Sequence, residues 1–133
     1  MNHQSNSIGN KFKIIISVGD ESGIGPEIIL KALFSKEIPN NIDFIIVGSK
    51  NNLENTYKNL KFLGVENIVD PNNYQIYDIK IPFEINKQKK SHGNASFFYL
   101  KKAIEIVQKY TNAAIVTGPI CKKSWALAGH NYS

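Results

Sequence analysis

The sequence predicts an α/β fold built on a mainly parallel sheet. Short continuous apolar runs recur along the chain, at Lys13–Val18, Asp43–Gly48 and Ala113–Thr117. Such runs, rich in β-branched residues, mark strands covered on both faces. Segments with helically spaced apolar residues lie between them, and the joins carry glycine and proline. Strands alternating with helices imply βαβ units and parallel pairing.

Residues 1–11 are polar and read as a flexible leader, leaving 12–133 as one α/β domain portion. The run KIIISV is the first strand, and Gly19 to Gly25 is a turn. Pro26 to Phe34 is a helix with Ile28, Ile29, Ala32 and Leu33 at helical spacing. Pro26 suits its first position, where a missing N–H leaves nothing unpaired, and Glu27 suits the positive end of the helix dipole. Asp43–Gly48 is the second strand. Asn51–Leu60 is a helix presenting Leu53, Tyr57 and Leu60 on one face.

Ile68 to Tyr74, with Pro71 and Asn72-Asn73, is a loop, and Tyr74 to Ile81 alternates enough to form a strand. Pro82 to Asn94 is polar and lysine-rich, an expected exposed loop. Ala95 to Tyr110 is the clearest helix. Phe97, Leu100, Ile104 and Val107 form its stripe, widened by Ala103, Ile106 and Tyr110. Lys101–Glu105 and Glu105–Lys109 have the spacing of outer-face ion pairs. Ala113–Thr117 is an expected buried strand, Gly118-Pro119 a turn, and Ile120–Leu127 a short helix. No internal repeat, low-complexity tract or domain boundary interrupts the chain.

The net charge is +5, yet all 16 basic residues are lysine. Arginine is the planar, bidentate phosphate reader, and its absence argues against a nucleic-acid binder. Lys87, Lys89 and Lys90 form a basic run without interleaved aromatics, which reads as a solvated surface. The single cysteine, Cys121, rules out an internal disulfide and fits a reducing compartment. It reads as a bystander, because no base lies near it in sequence. No secretory signal or membrane-length apolar run is present, so the expected location is the cytoplasm.

The first strand–turn–helix reads Val18-Gly19-Asp20-Glu21-Ser22-Gly23-Ile24-Gly25-Pro26-Glu27. It is not a dinucleotide fingerprint, because Ile28 stands where the last glycine belongs, and Gly25-Pro26 excludes a Walker loop. The turn still offers glycine-permitted close approach and a helix start to an anion. A ligand-free tight turn is the competing reading. Asp20 serves either as a ligand contact or as a cap of the helix start.

This segment resembles the G-D-P-[AS]-G-I-G-P-E signature of the 4-hydroxythreonine-4-phosphate dehydrogenase family, departing from it at Glu21. A second stretch, Ala113-Ala114-Ile115-Val116-Thr117-Gly118-Pro119-Ile120-Cys121-Lys122, resembles the family's strand ending in T-[AG]-P-[ILV]-x-K. Phe44–Gly48 resembles the family's second strand, and Gly93 precedes a helix as in the family. The resemblance runs from about Ile14 to Gly129.

The resemblance implies an isocitrate/isopropylmalate dehydrogenase-like architecture. This chain would be an incomplete first domain, without its returning strands or the second domain, and with an exposed strand edge and apolar surface. It also implies NAD-dependent oxidation and decarboxylation of 4-phosphooxy-L-threonine to 3-amino-2-oxopropyl phosphate, in vitamin B6 biosynthesis. The implied cofactors are NAD or NADP and a divalent metal such as zinc or magnesium. The implied partners are a small phosphorylated amino-acid substrate and, at full length, a second subunit in a homodimer; no nucleic acid or membrane is implied.

Within the chain, the resemblance points to Asp20, Gly23, Gly25, Thr117 and Lys122 as substrate- or cofactor-binding candidates, with Lys122 as a point charge for an anion. The family's catalytic and metal-binding residues match positions beyond Ser133. His3, His92 and His130 do not match them. The isolated 133 residues are therefore expected to be inactive. Two alternatives are a dehydrogenase of phosphorylated four-carbon sugar acids and a short non-catalytic protein from a truncated gene.

Overall fold

A computed structural model describes residues 11–20, 24–80 and 88–120. The order of elements is β1 (Phe12–Ser17), α1 (Gly25–Ala32), β2 (Ile42–Gly48), α2 (Lys50–Phe62), a 3-10 turn (Pro71–Asn73), β3 (Gln75–Asp78), α3 (Gln88–Val107) and β4 (Ala113–Thr117). The four strands form one sheet in the order β3-β2-β1-β4. Every pairing is parallel, with Ile15 opposite Ile45 on one side and opposite Ile115 on the other. The predicted parallel α/β sheet is thus present.

Side chains alternate across a strand, and the two faces are covered differently. α3 lies against β1, β2 and β4. α1 packs against α2, and its Ile29 and Leu33 share a groove with Ile14, Ile16 and Phe44, so α1 occupies the opposite face. Ile15, Ile46, Leu30, Leu53, Tyr99, Ala103 and Ile106 are fully buried around the central strands. Local chemistry fixes the helix ends. The Ser49 hydroxyl accepts from the Asn52 N–H at 3.1 Å, an N-cap for α2. Gly64, at φ +88°, supplies the left-handed residue that lets the chain leave that helix.

Four expectations are corrected. α3 begins at Gln88, so residues 88–94 of the expected loop are helical, and Gly93 lies inside the helix. A glycine costs a helix interior only about 1 kcal/mol, too little to end one anchored by later packing. Residues 81–87 lie outside the described set.

The buried face of α3 is Ala95, Ser96, Tyr99, Ala103 and Ile106; of the expected apolar face Ala103 and Ile106 are buried and Val107 packs against the core, whereas Ile104 is 45% exposed. The small residues on the buried face let the helix approach the sheet closely. Phe97 instead meets Phe98 edge to face at 5.9 Å. On the outer surface Glu105 pairs with Lys102 at 3.5 Å, one turn back at i,i+3.

On α1 the buried apolar residues are Ile29, Leu30 and Leu33, whereas Ile28 and Ala32 are exposed. β4 is not a buried strand among the described residues. It is the sheet's edge, with Ala114 exposed and Val116 50% exposed.

At the amino-terminal end of β2, Asp43 bridges two cations, Lys11 at 3.2 Å and Lys13 at 3.1 Å. The Lys13 ammonium also sits 5.2 Å from the centre of the Tyr110 ring. Hydrogen bonding from Lys13, with Lys11 adding to it against a smaller opposing effect of burial, holds the Asp43 carboxyl below its ordinary value. A carboxyl depressed in the folded state stabilises the fold above its unfolded value, and the benefit is lost as pH falls through its folded value.

Asp43→Asn should therefore lower stability at pH 7, by under about 1 kcal/mol because the pair is half exposed. The difference should shrink in urea titrations as pH falls below the ordinary carboxylate range and the folded-state carboxyl takes up its proton. Tyr99→Ala, which empties the centre of the α3–sheet interface, should cost about 3–5 kcal/mol in the same experiment.

Candidate functional site

β1 and β4 are parallel neighbours, and their carboxyl ends define the crest of the sheet. β1 leads into α1 on one face, while α3 feeds β4 from the other. In open α/β sheets this reversal of winding opens the crevice where ligands bind. The two segments singled out by the motifs therefore meet where the topology places a site, although about a hundred residues separate them in sequence.

They meet backbone to backbone. The Gly118 N–H donates to the Ser17 carbonyl at 2.8 Å, and the Asp20 N–H donates to the Pro119 carbonyl at 2.8 Å. On the other side of β1, the Val18 N–H donates to the Val47 carbonyl at 2.9 Å. The approach is too close for a side chain: a Cβ on Gly19 would lie 1.9 Å from the Pro119 oxygen. One on Gly118 would lie 2.9 Å from the Gly19 nitrogen. Glycine is required here by space, not by an unusual φ.

The crest presents a mixed polar surface. Asp20 is buried to 6% exposure and hydrogen-bonded or otherwise partnered. Thr117, paired in register with buried Ser17, is exposed. Gly25 is buried, and a Cβ there would come 3.2 Å from the Asp20 carbonyl oxygen, so the backbone at Asp20 lies close against the start of α1. The N-cap residue of α1 is Ile24, which makes no side-chain cap bond, and Pro26 stands in the first turn. Asp20 is therefore not the N-cap residue. Glu27 is paired with Lys31 at 2.6 Å, which offsets its charge beside the positive helix end.

Of the five candidates, the structure brings Asp20, Gly25 and Thr117 to one end of the sheet. Gly23 and Lys122 lie outside the described residues, as do Cys121 and the expected helix beyond Ile120. The sequence reading passed over Gly19 as a contact residue and Ser17 as its buried support. The available signal was a glycine immediately past each of two strands that pair side by side. Among the described residues, no group of three or more His, Cys, Asp or Glu side chains is gathered that could hold a metal ion. The implied divalent metal thus has no holder there.

Comparison with known proteins decides the family. The model of the family "Pyridoxal phosphate biosynthetic protein PdxA" matches residues 40–133, a span that includes the second motif. The chain belongs to the PdxA family. A 4-hydroxythreonine-4-phosphate dehydrogenase of Nostoc sp. is 40% identical over 129 residues, covering 90% of this chain and 35% of the relative. A protein of Fusobacterium nucleatum, provisionally named D-threonate 4-phosphate dehydrogenase, is 33% identical over 136 residues, covering 90% and 40%.

Among solved structures, the 4-hydroxythreonine-4-phosphate dehydrogenase of Burkholderia phymatum superposes with a TM-score of 0.68 at 22% identity, over 90% of this chain and 40% of that one. The Klebsiella pneumoniae protein of the same name gives 0.67 at 22%, over 92% and 40%. At these identities the structures speak for the fold. This PdxA-family chain spans 35–40% of the length of the curated relatives named above.

Gly19→Ala should be a severe substitution. Its methyl group must displace backbone, not a side chain, so a cost of about 1–3 kcal/mol or more is expected in denaturant unfolding. The amides of Asp20 and Gly118 should shift together in NMR spectra, while Gly64→Ala leaves both in place.

Proposed function

We propose that this chain forms the crest-bearing first portion of a dehydrogenase acting on a small phosphorylated hydroxy acid, with 4-phosphooxy-L-threonine as the substrate. The observation that carries this reading is the 40% identity to the Nostoc enzyme over 90% of the chain, with both motif loops joined at the topological switch point. In the proposed reaction the substrate alcohol is oxidised to a ketone as NAD takes the hydride and a proton is released. The resulting β-keto acid loses carbon dioxide to give 3-amino-2-oxopropyl phosphate. The nicotinamide supplies the redox chemistry, and the protein supplies binding and orientation.

The contribution of this chain is positional. Asp20 and Thr117 supply polar contacts at the mouth of the crevice, and the close-packed glycines Gly19, Gly25 and Gly118 let a ligand approach the backbone. Lys122, three residues past Pro119, is placed in sequence to bring a cation to the phosphate or carboxylate. The divalent metal that the resemblance implies would supply Lewis-acid polarisation of the substrate oxygen; the described residues gather no ligand set for it. The 133 residues by themselves do not turn over substrate in this reading, and the hydride acceptor is NAD or NADP.

A second reading has an observation of its own. Relatives provisionally named D-threonate 4-phosphate dehydrogenase match at 33% and 30% identity, so a phosphorylated four-carbon sugar acid is the competing substrate. The two substrates differ in an amino against a hydroxyl group.

Grafting residues 12–133 onto the remainder of the Nostoc enzyme should restore NADH production from 4-phosphooxy-L-threonine, in a chimera that melts cooperatively. Asp20→Asn in that chimera should lower kcat/KM by about 10–100-fold, a loss of some 1.4–2.7 kcal/mol. The isolated chain should give no NADH. Turnover by the isolated chain, or a folded chimera that accepts only D-threonate 4-phosphate, contradicts this reading.

A further inference from the structure

The amino-terminal end of the sheet, opposite the crest, holds a polar cavity of about 420 Å³. Small-ligand clefts occupy roughly 300–1,000 Å³. Its polar walls are Lys13 on β1, Asp43 on β2, Asn73, Tyr74 and Gln75 at the entry to β3, and Tyr110 just past α3.

Charge in this cavity is out of balance. Asp43 is shared by two ammonium groups, Lys11 at 3.2 Å and Lys13 at 3.1 Å, which leaves one positive charge in surplus. The Lys13 side chain is only 20% exposed, and its ammonium group lies 5.2 Å from the centre of the Tyr110 ring. It is therefore held in place. An ammonium group carries three N–H donors, of which Asp43 takes one.

The cavity's other polar groups also donate. Tyr74 is half-buried, and burial pushes its phenol above the ordinary value, so it keeps its proton at neutral pH. Among the described residues its hydroxyl has no hydrogen-bond partner. Asn73 and Gln75 can each present an NH2 group from the rim. Surplus positive charge, a fixed ammonium group and an unpaired phenolic donor suit an anion with several acceptor oxygens. A cationic ligand would meet one carboxylate, already taken twice.

We propose that this cavity binds a phosphate group, free or carried by a small ester, between Lys11, Lys13 and the Tyr74 hydroxyl. Lysine binds phosphate as a point charge, so the absence of arginine from the chain is no obstacle. Asp43 has two opposing effects. It holds the two lysines together, and its own charge repels the ligand, so it sets the affinity of the site.

Titration of inorganic phosphate into the ¹⁵N-labelled 133-residue chain, followed by NMR at constant ionic strength, tests this. The amides of Lys13, Asp43 and Gln75 should shift along one saturable curve, and acetate or chloride should give shifts several-fold smaller. Tyr74→Phe removes a hydroxyl without a protein partner, so the fold should be kept while phosphate binds several-fold more weakly. Lys13→Gln should abolish saturation. Asp43→Asn removes the opposing charge and frees both lysines, and should tighten binding several-fold despite its lower stability. Lys102→Gln, on the outer surface of α3, should bind as the wild type does. Glycerol phosphate in a parallel titration distinguishes the sources: tighter binding than that of inorganic phosphate assigns the site to an ester, and equal or weaker binding assigns it to the free ion.

Shifts that fail to saturate, or that acetate reproduces in full, overturn the proposal. So does wild-type affinity in both Tyr74→Phe and Lys13→Gln, or weaker binding by folded Asp43→Asn.

Discussion

The function proposed for this chain depends on the seam between β1 and β4. Two parallel strands pair through the sheet, and their carboxyl ends are then held by two further backbone hydrogen bonds, Gly118 to Ser17 and Asp20 to Pro119, each 2.8 Å. Backbone bonds of this kind bind two loops into one body, but only where no side chain intervenes. Gly19 and Gly118 supply that condition. The seam turns two stretches far apart in sequence into one polar surface, and it places that surface where the winding of the sheet reverses.

The rest of the fold serves to hold β1 in place. It is one of the two inner strands, flanked by β2 and β4, with α3 packed on one face and α1 lying beside the other. α3 is the better-packed cover: it lies against β1, β2 and β4 and buries Ala95, Ser96, Tyr99 and Ala103. The face under α1 is less complete, with Ile28 and Val116 exposed beside a groove. The chain spans 35% of its Nostoc relative.

Much of this was legible in the sequence, for definite reasons. Runs such as KIIISV and DFIIVG have no helical reading that leaves a polar face, so β1 and β2 were fixed by composition alone. The start of α1 followed from Gly25-Pro26, and the crest followed from the resemblance of two motifs.

The failures share a cause. Apolar spacing records that a face is covered without saying by what. Ile28 and Ile104 fit helical stripes, yet neither meets the four-stranded sheet as core. The polar stretch before Ala95 concealed a helix start, because its composition reports solvent exposure and not backbone conformation. The contact at Gly19 required knowledge of which strands are neighbours, and local sequence does not carry strand order.

Amide hydrogen exchange measured by NMR on the ¹⁵N-labelled chain tests the seam most directly. If the crest is one body, the Asp20 and Gly118 amides exchange about as slowly as that of Ile15 in the middle of β1, because all three open only with the sheet. Exchange of Asp20 and Gly118 at the rates of exposed loop amides, with Ile15 still protected, would mean that the two loops move independently and that no preformed crest exists.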